Sequence, residues 1–207
     1  MKKTIYLDNS ATTKVDETVV KQVNKFFTEN FANPSSQHTS GKIAKQEIEK
    51  ARQEIAKYIN ANPDEIIFTS GGTESNNLAI KGLAIASPDK KHIITSEIEH
   101  PAILETCKFL KNKGYKITYI KPNNQGIVNP KDIEKEITSQ TLLVSIMHVN
   151  NEIGTIQPIE EIGKICKNKN IPFHTDAVQS FTKLPINMKN KNIDLMSVSG
   201  HKINAPT

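Results

Sequence analysis

Asp194-Leu-Met-Ser-Val-Ser-Gly-His-Lys202 is the stretch of sequence that decides the fold. Its first half is mostly apolar and is typical of a buried strand, whereas its second half is small and polar and ends in a lysine. Open α/β sheets bind ligands at the carboxyl ends of their strands, so Lys202 follows a strand at a place where a ligand would bind. Taken alone, Lys202 is far more typical of the solvated lysines of a lysine-rich surface.

The neighbours of Lys202 favour a binding site. Ser199 and His201 are hydrogen-bond donors suited to a phosphate group. A lysine held in an apolar setting near other cations loses its proton more easily and can attack a carbonyl carbon. A phosphate beside a lysine that forms an imine describes pyridoxal 5'-phosphate held as a Schiff base. The stretch therefore predicts a pyridoxal phosphate site.

Strand and helix patterns alternate through most of the chain, which predicts an α/β fold. Alternation of this kind is typical of a three-layer arrangement, in which a mostly parallel sheet is covered by helices on both faces. We expect an N-terminal segment over residues 1–15 and one large domain over residues 16–207. Asp16 is the predicted cap of the first helix, and a polar loop is predicted over residues 33–41. The predicted strands are 66–69, 92–95, 117–120, 142–149, 173–176 and 195–199, and the predicted helices are 16–30, 43–59, 74–86, 102–113, 130–138 and 158–169.

A candidate phosphate site lies where the strand that ends at Thr69 leads into a helix. Gly71 and Gly72 turn the chain, and the free backbone amides at a helix start bind phosphate well. Thr73 adds a hydroxyl group. The Gly-Lys-Ser/Thr ending of a P-loop is absent, and an ordinary turn with a threonine cap explains the stretch equally well.

Two further strand ends present polar side chains. His100 precedes Pro101, which suits a first helical turn, and its imidazole could stack on a flat cofactor or move a proton. Asn151 follows the strand predicted at 142–149 and could reach a ring substituent or a substrate carboxylate. Each residue, taken alone, is also explained as a helix-start or turn residue.

Asp176 ends the strand predicted at 173–176, and a carboxylate buried there needs a positively charged partner. A protonated pyridine nitrogen is such a partner, and the pairing makes the ring an electron sink. Gln179 could hydrogen-bond the phenolic oxygen of the same ring. His174 and Asp176 also raise the question of a metal site. We expect their side chains on opposite faces of the strand and predict no metal site.

Charge and cysteine content narrow the function classes. The formal net charge is +5 with 27 Lys and Arg residues, but the lysines are dispersed without interleaved aromatic residues, so we predict no nucleic-acid partner. Cys107 and Cys166 lie in helical patterns and predict no disulfide, which fits a reducing cytoplasm. The first residues lack the apolar run of a signal peptide, and no stretch is long enough to span a membrane.

As a set, these motifs resemble the NifS-like cysteine desulfurases, which are pyridoxal phosphate enzymes of the class V aminotransferase group. The match runs from near the start to the last residues, in the order and spacing of the family. The segments that carry it are Tyr6-Leu-Asp-Asn-Ser-Ala-Thr-Thr13, Asn33-Pro-Ser-Ser36, Thr69-Ser-Gly-Gly-Thr-Glu-Ser75, Glu99-His100, Ser145-Ile-Met-His-Val-Asn-Asn-Glu-Ile-Gly154, Asp176-Ala-Val-Gln-Ser180 and Ser199-Gly-His-Lys-Ile203.

The resemblance implies a reaction in which L-cysteine loses its sulfur, giving alanine and a persulfide for iron–sulfur cluster assembly or another sulfur transfer. It also implies a homodimer and a sulfur-acceptor or scaffold protein. The implied catalytic residues are Lys202, as the Schiff-base lysine, and His100, which stacks on the ring. The implied cofactor contacts are Asp176 to the pyridine nitrogen, Gln179 to the phenolic oxygen, Gly72, Thr73, Ser199 and His201 to the phosphate, and Asn151 near the ring and the substrate.

The resemblance covers only the first half of family members. The second half carries the sulfur-accepting cysteine, a carboxylate-binding arginine, the small domain and the closing strands of the sheet. Cys107 and Cys166 do not match that cysteine, and we predict that both are buried helix-core residues. Arg52 does not match that arginine. We therefore expect a truncated large domain that is inactive alone. The alternatives are a non-catalytic remnant that binds pyridoxal phosphate, and a selenocysteine lyase, a cysteine sulfinate desulfinase or another class V relative.

Overall fold

The computed structural model describes residues 5–206, which divide into two units. The first unit contains the residues up to Phe68 and those from Gly200 onward, and the second contains Thr69–Ser199. The predicted division into residues 1–15 and 16–207 stays a prediction. Residues 1–4 and 207 lie outside the described residues. The predicted absence of a signal peptide concerned the start of the chain, which is among them.

The first helix of the first unit, α1, spans Glu17–Thr28. Asp16 caps it as predicted, because its Oδ1 accepts the Thr18 N–H at 2.7 Å. None of the residues of α1 is buried, and Phe27 is 74% exposed. The apolar side chains of this helix are therefore largely exposed in the structure of residues 5–206.

The second helix, α2, spans Thr39–Ile59 and begins inside the polar loop predicted over residues 33–41. His38 makes this early start possible, since its Nδ1 accepts the Gly41 N–H at 3.3 Å. The helix ends at Asn60, which has a left-handed backbone with φ 57°. A short 3-10 turn over Pro63–Glu65 follows. The predicted end of this helix near residue 60 is confirmed.

The strand predicted over residues 66–69 is wrong, because this segment forms no strand. A strand needs the backbone of a neighbouring strand as its partner. Here the Ile66 carbonyl accepts a hydrogen bond from the Arg52 guanidinium instead. The guanidinium also lies 4.9 Å from the centre of the Phe68 ring. Ile67 is 68% exposed, so the apolar run that suggested a buried strand is not buried.

The second unit contains the sheet, whose five strands pair in parallel in the order β2-β1-β3-β4-β5. The remaining five predicted strands are confirmed, although β3 and β5 end earlier than predicted. Strand β3 ends at Ser145, although the Ile146 and His148 N–H groups still donate to carbonyl oxygens of β4, and Val149 forms only an isolated bridge with Ile156. The strands are β1 His92–Ser96, β2 Lys116–Ile120, β3 Thr141–Ser145, β4 Phe173–Asp176 and β5 Leu195–Ser197.

Helices cover both faces of this sheet, as predicted. In β1, Ile93 packs into a cluster with side chains of α3 and α4, whereas Ile94 packs with side chains of α5 and α6. Adjacent residues of a strand point to opposite faces, so the two helix pairs lie on opposite sides. No helix within residues 5–206 combines the length and apolar character that a membrane crossing requires. The helices are α3 Gly72–Ala86, α4 Pro101–Lys111, α5 Pro130–Glu136 and α6 Ile159–Asn168.

The two cysteines lie in the cores on the two faces of the sheet. Cys107 of α4 and Cys166 of α6 are both free and fully buried. Burial raises the pKa of each thiol to about 12. Both therefore stay protonated at neutral pH, and the prediction that they are helix-core residues is confirmed.

Helix α6 packs so closely on the segment before β5 that only glycine fits at one position. A Cβ atom on Gly163 would overlap the Lys191 carbonyl oxygen and lie 3.1 Å from the Asn192 carbonyl oxygen. We predict that Gly163→Ala lowers the free energy of unfolding by roughly 1–3 kcal/mol, measured by urea denaturation.

Gly82→Ala in α3 is the matched control, since the nearest atom to its Cβ would be Leu78 Cδ1 at 3.9 Å. Alanine there should stabilise the helix, by up to about 1 kcal/mol. Equal effects of the two substitutions would show that the backbone contact at Gly163 does not limit packing.

Candidate functional site

Several predicted site residues of the second unit lie at the edge of the sheet where the parallel strands end. His100 comes four residues after β1, Asn151 follows β3, Asp176 is the last residue of β4, and Ser199 comes two residues after β5. Because parallel strands end at the same edge, the fold places these four positions along one border of the sheet.

Asp176 is a buried carboxylate, 5% exposed, that two donors hold in place. Its Oδ1 accepts the Val178 N–H at 3.0 Å, and its Oδ2 accepts Asn76 Nδ2 at 2.8 Å. Hydrogen bonds from donors reduce the cost of burying a negative charge. The carboxylate is therefore held in one orientation at the end of β4.

Asn76, a residue of α3 that is 1% exposed, was not predicted from the sequence as a site residue. Its Nδ2 holds Asp176 while its Oδ1 is buried and has no partner among the described residues. Asn76 lies four positions after Gly72, and this spacing places both on one side of the helix. That spacing is the signal by which the sequence could have connected Asn76 to the predicted phosphate site.

The start of α3 lies against the segments that follow β4 and β5. A Cβ atom on Gly72 would be 3.1 Å from Val178 Cγ2 and 3.7 Å from Ser199 Cβ, so only a very small residue fits comfortably there. The first amides of a helix have no partners within the helix and attract anions. Thr73 is exposed and Ser199 is buried. Gly72, Thr73 and Ser199 are thus grouped at one helix start.

A chain of buried hydrogen bonds crosses the sheet next to Asp176. Ser145 Oγ lies 2.9 Å from His174 Nδ1, and His174 Nε2 lies 3.0 Å from Ser197 Oγ. Ser75 Oγ, on α3, then donates to Ser197 Oγ at 2.9 Å. Burial lowers the pKa of His174 to about 4, so its ring is neutral at pH 7.

The expectation that His174 and Asp176 lie on opposite faces of β4 is wrong. Side chains two residues apart in a strand share a face. Asp176 accordingly bonds Asn76 of α3, and His174 reaches α3 through Ser197. Within residues 5–206, no three His, Cys, Asp or Glu side chains form a group able to hold a metal ion.

His100 caps helix α4, which is the helix-start role that the sequence had left open. Its Nδ1 accepts the Ala102 N–H at 3.1 Å, and its side chain is exposed. Because Nδ1 accepts, the neutral ring carries its proton on Nε2. The cap thus fixes both the position and the tautomer of an imidazole at the end of β1.

The other two predicted contacts, Asn151 and Gln179, are half-buried. Asn151 Nδ2 donates to Glu152 Oε1 at 2.7 Å. Gln179 lies in the turn after β4, three residues beyond Asp176. Their contacts with a ring or a substrate stay predictions.

Glu99 is a second residue that sequence analysis quoted without assigning it a role. It is 5% exposed, and burial raises the pKa of its carboxyl group to about 8. It accepts hydrogen bonds from Ser96 of β1 and from the backbone of Met147. A buried carboxyl group beside His100 was not predicted from the sequence.

His201 and Lys202 belong to the first unit, in a 3-10 turn over Gly200–Lys202. Lys202 Nζ donates to the carbonyl oxygens of Ser10 and Ala11, the latter at 2.6 Å. His201 Nδ1 lies 3.1 Å from Thr12 Oγ1. The segment before α1 thus holds this turn, a role that sequence analysis did not predict. That Lys202 and Asp176 meet one cofactor stays a prediction.

Comparison with known proteins gives matches over the whole chain. The Aminotransferase class-V family model matches residues 5–207. The chain is 52% identical over 207 residues to the cysteine desulfurase IscS of Dictyoglomus turgidum, which covers 100% of this chain and 52% of that protein. It spans about half the length of the curated relatives it matches.

Solved structures share its fold, which is that of the pyridoxal phosphate-dependent transferases. The structure described as SspA in complex with cysteine aligns with a TM-score of 0.97 at 46% identity, covering 99% of this chain and 59% of that one. A NifS-like protein aligns with a TM-score of 0.95 at 43% identity, covering 98% and 56%. The predicted α/β fold class is confirmed.

The buried histidine in this region makes the stability of the protein depend on pH. The pKa of His174 is about 4 in the folded protein and about 6.5 when unfolded, so between these values only the unfolded chain takes up the proton. The contribution of His174 to the free energy of unfolding should therefore fall as the pH falls from 6.5 to 4, by at most ~1.4 kcal/mol per pH unit.

His174→Gln should reduce this loss in urea denaturation curves recorded between pH 7 and 4. His148, whose pKa burial also lowers to about 4, adds a loss of the same sign, whereas Glu99, whose pKa burial raises to about 8, opposes it above about pH 4.5. The quantity that tests His174 is therefore the difference between the slopes of the unaltered protein and His174→Gln. An unchanged slope in His174→Gln would show that His174 takes up its proton equally in the folded and unfolded states.

Proposed function

Because the chain belongs to the aminotransferase class-V family, we propose that it supplies the cofactor-binding half of a pyridoxal phosphate-dependent cysteine desulfurase. Such an enzyme takes sulfur from L-cysteine as a persulfide and leaves alanine. The observation that carries this proposal is Asp176, a buried carboxylate held by two donors at the end of a parallel strand. The names of the relatives support it, and so does the cysteine complex of SspA.

The residues of the second unit fit this cofactor. A buried carboxylate calls for a cationic partner, and the protonated pyridine nitrogen supplies one. The helix start at Gly72, where only a very small residue fits, has the Thr73 hydroxyl beside it and Ser199 close by, and its free amides suit a phosphate group. When bound, pyridoxal phosphate acts as an electron sink for the substrate. We assign Asp176 to the ring nitrogen, and Gly72, Thr73, Ser199 and His201 to the phosphate.

Lys202 is the proposed point of covalent attachment. Its Nζ is held by the carbonyl oxygens of Ser10 and Ala11 in the first unit. These backbone acceptors restrict a long, flexible side chain to one region. In the proposal, the segment before α1 orients the amine before the cofactor arrives.

His100 is the proposed stacking and proton-transfer residue. The Ala102 N–H occupies its Nδ1, so Nε2 is the atom that holds the exchangeable proton. The cap also keeps the ring from rotating freely, which favours stacking on a flat ring. Gln179 and Asn151 are assigned, as before, to the phenolic oxygen and to the region of ring and substrate.

The sulfur step needs a thiolate that neither cysteine of this chain can provide. Cys107 and Cys166 are fully buried, and burial raises the pKa of each to about 12. A protonated thiol in a helix core is a poor nucleophile and cannot travel to a substrate. The accepting cysteine therefore belongs, in our proposal, to the half of the relatives that this chain does not match.

The remaining parts of the proposal follow the family resemblance. They are a homodimer, a sulfur-acceptor or scaffold protein, a cytoplasmic location and a role in iron–sulfur cluster assembly, which the name IscS of the relatives supports. The names of these relatives favour this function over a non-catalytic remnant or a selenocysteine lyase.

The first test concerns Lys202. Purified protein mixed with pyridoxal phosphate should develop a visible absorption band, and borohydride reduction should then attach the cofactor to the peptide that contains Lys202, as measured by mass spectrometry. Lys202→Ala should abolish that label. Lys14→Ala, an exposed lysine of the same unit, should leave it unchanged. Label spread over surface lysines in the unaltered protein would overturn the assignment.

The second test concerns Asp176. Asp176→Asn removes the charge but keeps the size, so the ring nitrogen loses its ionic partner. We predict that the dissociation constant for pyridoxal phosphate rises at least about tenfold, since charged hydrogen bonds contribute roughly 1.5–3 kcal/mol, and that the absorption of the bound cofactor shifts. Asp89→Asn, at an exposed position, is the control. Unchanged affinity and spectrum would give Asp176 a purely structural role.

A further inference from the structure

Glu99 joins the ends of two neighbouring strands of the second unit. Its Oε1 accepts the Ser96 hydroxyl at 2.6 Å, and Ser96 is the last residue of β1. The Met147 N–H, two residues beyond β3, donates to Oε1 at 3.0 Å and to Oε2 at 3.1 Å. Glu99 as a whole is 5% exposed. A buried acidic side chain thus links the segment after β1 to the segment after β3.

A second buried connection runs beside the first. Asn150 is 6% exposed, and its Nδ2 donates to the Ile98 carbonyl oxygen at 2.8 Å. Its Oδ1 accepts the backbone N–H groups of Glu152 at 2.9 Å and Ile153 at 3.0 Å. The amide of Asn150 therefore shapes its own turn while it binds the neighbouring segment.

These two connections join the segments that carry two proposed site residues. His100 directly follows Glu99, and Asn151 lies four residues after Met147. We propose that Glu99 is a positioning residue, whose buried carboxyl group fixes the separation between the segments that carry His100 and Asn151. That this separation serves a cofactor site rests on the proposed function. The hydrogen bonds of Glu99 themselves form without a cofactor.

Charged and titratable neighbours determine how Glu99 responds to pH. Burial raises the pKa of its carboxyl group to about 8, Asp176 at the end of β4 acts in the same direction, and the hydrogen bonds from Ser96 and Met147 oppose the rise. Glu99 in turn raises the pKa of Cys107 on α4, after the larger effect of burial. In the segment of Glu99, Glu97 and His100 are exposed. Because an ionised carboxylate accepts a stronger hydrogen bond, the Met147 amide should report the ionisation of Glu99.

The experiment is an NMR titration of the full chain between pH 6 and 10 without cofactor. The Met147 amide proton should shift with a midpoint near pH 8, and the His100 ring signals should show a step at the same pH. Glu99→Gln keeps the size and an acceptor oxygen, and should abolish both steps. Glu97→Gln changes an exposed carboxylate of the same segment and should retain them. A Met147 step that persists in Glu99→Gln would overturn the proposal.

Hydrogen exchange measures the connection directly. Glu99→Ala should speed the exchange of the Met147 amide at least tenfold and shift the His100 ring signals, whereas Glu97→Ala should change neither. Unchanged exchange and unchanged ring signals in Glu99→Ala would also overturn the proposal. If Glu99→Ala does not fold, the titration of Glu99→Gln decides. Since no cofactor is added, these results stand even if the Lys202 label fails, so the two proposals fail separately.

Discussion

The parallel pairing of β3 with β1 and β4 is the constraint on which the rest of the second unit depends. All five residues of β3 are buried, and Leu143 and Val144 pack into the hydrophobic clusters on opposite faces. A strand covered on both faces has little contact with water except at its ends. Residues that contact a ligand are therefore expected beyond the last residues of the strands.

Asp176 and Ser197 are buried polar residues of this sheet, and each has a hydrogen-bond donor in a neighbouring element. Asp176 is held by Asn76, and Ser197 is bonded by Ser75, and both of these donors lie on α3. The same contacts fix α3 against β4 and β5 at its first turns. The helix start that suits a phosphate group and the carboxylate that suits a ring nitrogen are thus set by one packing arrangement, so they do not move independently.

In the first unit, the segment before α1 restrains a lysine that lies on a short turn. A 3-10 turn of three residues makes few hydrogen bonds of its own. The segment before α1 provides the missing ones, since the Thr13 N–H and hydroxyl both donate to the His201 carbonyl oxygen, at 2.9 and 2.8 Å. Lys202 is then bonded to carbonyl oxygens of the same segment. Residues that are far apart in the chain therefore define the position of one amine.

The sequence by itself determined the order of the strands and helices, the parallel three-layer class and the buried state of both cysteines, because apolar periodicity and cap residues are local signals. It also identified the residues that follow each strand. The local pattern wrongly predicted a strand at 66–69, because a strand requires a neighbouring strand as its partner and no local pattern shows whether one is present. Only the tertiary structure decided the contacts of Asp176 with Asn76 and of Glu99 with Met147, whose members are 100 and 48 residues apart. Hydrogen bonds of that kind exist only after α3 has packed on the sheet and β1 has paired with β3.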